Sequence, residues 1–253
     1  MSLMETIRRR RLFFDGAMGT LLQEEGLKAG ELPELWNLTH PDVVEAIHRQ
    51  YLDAGCNLLK TNTFGANRLK LAGCGYRVEE IVASAVSHAR HAAKGYLHPV
   101  FVGMDIGPTG KLLKPLGDLS FEQAYDVFAQ MARAGEQAGA DFILIETMGD
   151  TYEVKAALLA AKECTSLPVF VTMVFDERGK LLTGGSIEAA VALLEGLGAD
   201  AIGFNCGLGP VQMRELLPIL LKTASVPVIL NPNAGLPRSE NGKTVYDEND
   251  KPF

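Results

Sequence analysis

Six short apolar segments end in side chains able to hold a ligand or a metal. Asp15 closes RLFFD, and Thr61 and Asn62 follow NLLK. Asp105 closes PVFVGMD, and Glu146 and Thr147 follow FILI. Asn205 and Cys206 close DAIGFNC, and Asn231 and Asn233 end and follow PVILN. A carboxylate at the end of an apolar run needs a partner, and for Glu146 that is either a ligand ammonium or a neighbouring helix amide. Cys206 lies in GFNCGLGP (203–210), where Pro210 suits a first helical position. A helix N-terminus favours the thiolate, the form of cysteine that binds metal; an inert buried cysteine fits the position equally well. In DGAMGT (15–20), Gly16 and Gly19 let the backbone approach a ligand, and free N–H groups there suit a carboxylate. A plain tight turn accounts for the same residues. Thr147, Asp150 and Asn231 are equally at home as helix caps.

The remaining metal-binding side chains fall elsewhere. Cys56 and Cys164 precede strand-like runs and belong at the opposite end of the sheet, and Cys74 is peripheral. His40, His48, His88, His91 and His98 lie on helical stretches or ahead of strands. A zinc site takes at least three protein ligands. One, Cys206, is on offer, so the other ligands of any zinc site are expected beyond Phe253. Lys60 is the sole candidate for a Schiff base in an aldolase- or decarboxylase-like barrel, and it stands one residue short of Thr61.

These residues are positioned by alternating strands and helices. Strand-length apolar runs occur at 11–15, 57–62, 99–105, 141–146, 168–175, 200–206 and 226–231, with helical patterns between them at 41–54, 77–94, 120–138, 150–164, 186–197 and 210–224. Hydrophobicity is continuous within the runs, as in strands covered on both faces. Strict alternation indicates right-handed parallel units. AGCNLL (54–59), AGADFI (138–143) and LGADAI (197–202) repeat one logic, a helix ended by glycine in a left-handed cap, then Asn or Asp, then a strand. The expected fold is a (β/α)8 TIM barrel that lacks its eighth βα unit, since seven strands are present and eight are needed. A doubly wound open sheet is the second choice, although DGAMGT does not match its glycine-rich nucleotide loop. A missing unit would leave exposed apolar surface at both sheet edges. Segment 231–253 shows no strand or helix period. Met1-Ser2-Leu3 ahead of Met4 reads as an added tag, so one domain is drawn over 4–253.

With 47% hydrophobic residues the chain can build a large core, and a net charge of -7 disfavours nucleic acid and anionic membranes as partners. Arg8 to Arg11 fit a solvated helix end. No apolar run approaches the ~20 residues of a membrane span, no secretory signal is evident, and the unpatterned cysteines imply a reducing, cytoplasmic location.

Taken together, DGAMGT, IHRQYLDAGCNLLKTNTFGAN (47–67), DIGPTGK (105–111), ETMGD with EVKAA (146–157), TGGS (183–186) and GFNCGLGP resemble the homocysteine S-methyltransferase family over essentially the whole length. PNAGLPRSENGKTVY (232–246) is similar to its cobalamin-dependent methionine synthase branch. The resemblance implies a (β/α)8 barrel and a zinc held by three thiolates, of which Cys206 matches one. The other two form a Cys-Cys pair after the eighth strand, absent here. It further implies that Asp15, Gly16 and Ala17 meet the amino-acid end of homocysteine, that Glu146 pairs with its ammonium, that Asn205 steadies Cys206, and that Thr61 and Asn62 line the pocket. Zinc would hold the substrate sulfur as a thiolate, and Cys206 and Glu146 would be the catalytic pair. The methyl donor implied is methylcobalamin on another domain, recharged from methyltetrahydrofolate. Betaine or S-methylmethionine serves other branches, and a metal-free small-molecule-binding barrel is the non-enzymatic alternative.

Overall fold

A computed structural model describes residues 2–235 and the strand segments 238–240 and 243–245. Its centre is a curled sheet of six parallel strands in chain order, β1 (Leu58–Lys60), β2 (Phe101–Ile106), β3 (Phe142–Met148), β4 (Val169–Met173), β5 (Ala201–Asn205) and β6 (Val228–Asn231). The run at 11–15 adds a seventh position beside β1 in reduced form. Phe14 makes a parallel bridge to Leu58, and the Phe13 carbonyl accepts N–H groups from Asn57 and Leu58. Nine α-helices are described: α1 (Leu3–Ile7), α2 (Met18–Glu24), α3 (Trp36–Thr39), α4 (Pro41–Asp53), α5 (Val78–Ala92), α6 (Phe121–Ala138), α7 (Thr151–Cys164), α8 (Ile187–Gly196) and α9 (Pro210–Thr223). The last six match the expected helical patterns to within two residues at each end. α2, α3 and a 3-10 turn at Pro33–Leu35 fill the long first connection, where no period was visible.

Side-chain alternation divides the sheet into two faces. Outward residues such as Leu59, Val102, Met104, Ile143, Ile145, Val171 and Ile202 pack under the helices in the main core. The inward face carries Leu58, Phe101, Phe142, Leu144, Phe170, Ala201 and Ile229 at its lower end. Two or four residues further along the same face come Lys60, Asp105, Glu146, Thr172, Asn205 and Asn231. Gly103 is required between these layers, because a Cβ there would overlap the Phe142 ring. Leu3 belongs to the inner cluster and is buried, Met4 and Ile7 pack on it, and Ser2 caps α1 through a capping box with Glu5. Ser2, as its cap, and Leu3 thus belong with the rest of α1, which packs against the lower end of the sheet.

The three-fold repeat has a structural meaning. Gly55, Gly139 and Gly198 all adopt left-handed backbone, with φ of 98°, 89° and 84°. The residue two places on accepts an N–H from the strand before it: Asn57 from Phe13 (3.3 Å), Asp141 from Val102 (2.7 Å) and Asp200 from Val169 (2.8 Å). Each unit is thus stitched to its predecessor at the lower end.

One expectation about the C-terminal segment changes. Arg238–Glu240 and Lys243–Val245 pair as an antiparallel hairpin, with Glu240 opposite Lys243. The period was missed because each strand has three residues, yet Asn241-Gly242 between them is the strongest short hairpin signal. The hairpin forms its own two-stranded sheet, and among the described residues nothing pairs with the free edges of β6 or of residues 12–14. Phe13 and Leu230 are exposed at those edges.

Candidate functional site

A cavity of about 710 Å³ opens at the C-terminal ends of the strands and is lined by Asp15, Gly16, Ala17, Thr61, Asn62, Glu146, Asn205 and Cys206. The structure thus gathers every candidate residue from the sequence in one place. Lys60, Asp105, Thr147, Asn231 and Asn233 join them there, as do Glu34, Tyr51 and Phe64 from outside the sheet.

The floor is charged. Asp15 ends the first segment. Its N–H donates to the Leu58 carbonyl at 3.0 Å, and its Oδ2 accepts the Lys60 backbone N–H at 2.9 Å. The Lys60 ammonium lies 3.4 Å from Glu146 Oε2, with both side chains about nine-tenths buried. Asp15 and Asp105 are buried, and the Oδ1 atom of each has no partner. Burial pushes Asp15 up to about 7 against the opposing pull of Lys60. Burial, then the Glu146 charge, raises Asp105 well above the carboxylate range. For Lys60, burial favours the neutral amine, but the acids packed around it, Glu146 foremost, outweigh burial and keep the ammonium charged. A Schiff-base lysine has to be neutral, so these surroundings argue against the aldolase-like reading. Lys60 was underrated through parity: Leu58 faces inward, so Lys60 does too, and standing one residue before Thr61 is what brings it to the floor.

Backbone strain marks the upper wall. Thr147 and Cys206 have φ of 63° and 55°, and among the described residues they are the only non-glycine positions with positive φ. The β3–β4 register shifts between Ile145 and Met148, a bulge that re-aims the side chains at Glu146 and Thr147. Asn205 spans the gap between the two strand ends. Its Oδ1 accepts the Thr147 N–H at 2.9 Å and its Nδ2 donates to Thr147 Oγ1 at 2.7 Å. Asn205 therefore ties the end of β5 to the bulge in β3. Such strain persists only where surrounding contacts enforce it, and it clusters at functional sites.

Cys206 is exposed in the cavity wall. Its N–H donates to the Asn231 carbonyl at 3.2 Å, and Asn233 Nδ2 lies 3.9 Å from its sulfur. α9 is capped by Gly209, so Cys206 falls outside the first turn and outside the short reach of the helix dipole. Accessibility, rather than the helix terminus, distinguishes this thiol from buried Cys56. None of the five histidines lines the cavity. Among the described residues no group of three His, Cys, Asp or Glu side chains is arranged to hold a metal. One thiol falls short of the three protein ligands zinc requires.

The first loop makes the opposite wall. Ala17 caps α2 without a side-chain hydrogen bond, leaving first-turn N–H groups uncapped beside the cavity. Tyr51 donates to the Ala17 carbonyl at 3.1 Å, and a Cβ on Gly16 would stand 2.7 Å from that hydroxyl. Gly16 is thus needed for contact with Tyr51. Thr61 and Asn62 line the cavity, with the Thr61 hydroxyl and the Asn62 Nδ2 already engaged. Thr61 Oγ1 meets Thr63 Oγ1 at 2.6 Å and accepts the Asp105 N–H at 3.1 Å, while Asn62 Nδ2 donates to the Pro33 carbonyl at 2.8 Å. Both hold neighbouring loops in place. Asp150 caps α7 by accepting the Tyr152 N–H at 2.7 Å, which settles that residue as structural. Glu34, in the 3-10 turn, and Phe64, in the loop after β1, were not singled out from the sequence, since neither stands in a periodic element.

A family model described as homocysteine S-methyltransferase matches residues 12–253. Methionine synthase from Mycobacterium leprae is 37% identical over 251 residues, covering 93% of this chain and 21% of that protein. Its counterpart from Mycobacterium tuberculosis is 36% identical, with the same coverage. The chain therefore spans about a fifth of the length of these relatives. Among solved structures, the metallated form of the homocysteine methyltransferase MmuM from Escherichia coli superposes with a TM-score of 0.80 at 22% identity, covering 91% of this chain and 86% of that one. The apo form gives 0.76 at 22% identity, covering 90% and 84%. At that identity the likeness establishes the TIM-barrel-like α/β fold.

Proposed function

Because this chain belongs to the homocysteine S-methyltransferase family, we propose that its cavity binds homocysteine and presents the sulfur for methylation to methionine. The observation that carries this reading is the pairing, in one cavity, of an exposed thiol at Cys206 with a buried floor of three acids and one ammonium. A charged amino-acid group suits such a floor, and the uncapped start of α2 at Gly16–Met18 suits a carboxylate. The volume fits a small ligand with room for a second reactant.

Cys206 is proposed as this chain's single zinc ligand, with the remaining two thiolates drawn from a segment that follows it. Zinc, when bound, would keep the substrate thiol deprotonated. Glu146 and Asp15 would meet the amino-acid end, and Asn205 would hold the Cys206 turn against β3. The donor proposed is methylcobalamin on another domain, itself recharged from methyltetrahydrofolate. Exposed apolar side chains on the loops around the cavity support delivery by a second domain: Leu112 and Leu116 after β2, Tyr152 at the start of α7 and Leu182 after β4. Docking surfaces are commonly apolar at their centre.

The test is zinc content and homocysteine binding in this chain and in one extended by about 60 residues, roughly one further barrel unit. One zinc per molecule in the longer form only, lost in Cys206→Ala, supports the reading. Tight stoichiometric zinc in Cys206→Ala refutes the ligand assignment. Methyl transfer from betaine or S-methylmethionine, without cobalamin, would refute the donor.

A further inference from the structure

The cavity floor does not balance its charge. Asp15, Asp105 and Glu146 face one cation, Lys60. Lys60 is already committed to Glu146 at 3.4 Å, so the two remaining acids lack a counter-ion. Each is at least 95% buried and keeps one oxygen without a partner. An ionised carboxylate in that position is costly, and the usual remedy is to take up a proton. The charged and titratable groups around Asp15 are Lys60 on β1, Asp105 on β2, Glu146 on β3, Tyr51 on α4 and Cys56 ahead of β1. Asp105 on β2 faces Glu146, Lys60, Asp15 and also Glu34. None supplies a second positive charge.

We propose that Asp105 is carried as the neutral acid throughout, and that Asp15 surrenders a proton to solvent as an amino-acid ammonium enters, so that the cavity takes up its ligand by exchanging a proton for a cation. The occupied floor is then neutral: Lys60 against Glu146, the ammonium against Asp15, and Asp105 uncharged. This division gives the ammonium to Asp15 rather than to Glu146, whose carboxylate is engaged. It rests on the homocysteine reading above and adds a proton to its binding equilibrium. The rise of Asp15 to about 7 places the exchange in the neutral range.

The zinc-loaded, full-length protein is titrated calorimetrically between pH 5.5 and 8 in buffers of different ionisation enthalpy. The probes are L-homocysteine and 4-mercaptobutyrate, which has the same thiol and carboxylate without the ammonium. Protons lost from the thiol are common to both, so the difference reports the ammonium. Below neutrality, homocysteine affinity relative to 4-mercaptobutyrate should rise by up to tenfold for each unit increase in pH and level off above about 7, one proton's worth of linkage, and Asp15→Asn should abolish the difference. Equal pH slopes for the two thiols would overturn the exchange. In parallel, the carboxylic-acid band in the infrared spectrum of the ligand-free protein should have one component that titrates near neutral pH and disappears in Asp15→Asn, and one that persists to pH 8 and disappears in Asp105→Asn. Absence of the persistent component overturns the neutral Asp105. Failure of both thiols to bind, with both components present, refutes the homocysteine reading while upholding the two acids.

Discussion

Replacing Lys60 with Met keeps most of the length and apolar packing of the side chain and deletes the ammonium with its hydrogen bond to Glu146. The ammonium is about nine-tenths buried and 3.4 Å from Glu146. Breaking a buried pair from one side costs about 3–5 kcal/mol, because the surviving charge is left uncompensated. Here Glu146 and Asp15 are both left behind, so the upper half of that range is expected at pH 8. The penalty must depend on pH with a defined sign. Without the ammonium, both carboxylates bind protons more tightly in the folded than in the unfolded state, so the variant gains stability relative to the parent as pH falls. At pH 5 the penalty should shrink by at least half. Urea unfolding of both proteins at pH 5 and 8 gives the four free energies. Adding Glu146→Gln to Lys60→Met should recover most of the loss at pH 8. A penalty below about 1 kcal/mol at pH 8, or one equal at both pH values, would show that the floor is solvated and that the argument from burial fails.

Other perturbations separate folding from chemistry. Cys206→Ala should leave stability within about 0.5 kcal/mol, as for an exposed site, while removing zinc and homocysteine binding; a thermal melt and metal analysis decide it. Asn205→Ala removes two hydrogen bonds and leaves the Thr147 N–H without its acceptor, for an expected loss of about 2–4 kcal/mol by denaturant unfolding. Asp15 is raised to about 7 in the fold, so it lowers stability as pH climbs from about 4 to 7 and has no further effect above. Asp15→Asn should flatten that part of the ligand-free stability profile. His48 is buried with both ring nitrogens unpartnered and is pushed down to about 4, chiefly by burial. Its contribution has the opposite sign, present above about 6.5 and lost as pH falls toward 4, and His48→Leu should remove that acid sensitivity in pH-dependent melts.

The main barrel elements could be read from the sequence because their signals are local. Glycine caps at Gly55, Gly139 and Gly198 and prolines opening strands or helices fix boundaries without reference to distant residues. What could not be read depends on register across strands. That Lys60 reaches the cavity floor turns on the parity of a three-residue strand, too short to show alternation. The positive φ at Thr147 follows from a bulge created by the partner strand, and no residue in LIETM announces it. Glu34 reaches the site through a turn whose position is set by Asn37 and Asn62, contacts made across 25 residues of chain. The pairing of Arg238–Glu240 with Lys243–Val245, by contrast, had a local sequence signal in Asn-Gly and was missed because each strand has only three residues.

Each inner strand carries a hydrophobic residue at one level and a reactive one a step or two above it, as Phe142 and Leu144 lie beneath Glu146, and Leu58 beneath Lys60. Foundation and working surface are therefore separate storeys of one building. The upper storey can be refitted by substitution at Lys60, Asp105, Glu146 and Asn205 while the ring of Phe101, Phe142, Phe170 and Ile229 stands unchanged. The lower storey tolerates no such freedom, since a cavity opened there undermines every wall at once. Engineering of new ligand preference belongs above that line, and selection for thermal tolerance below it.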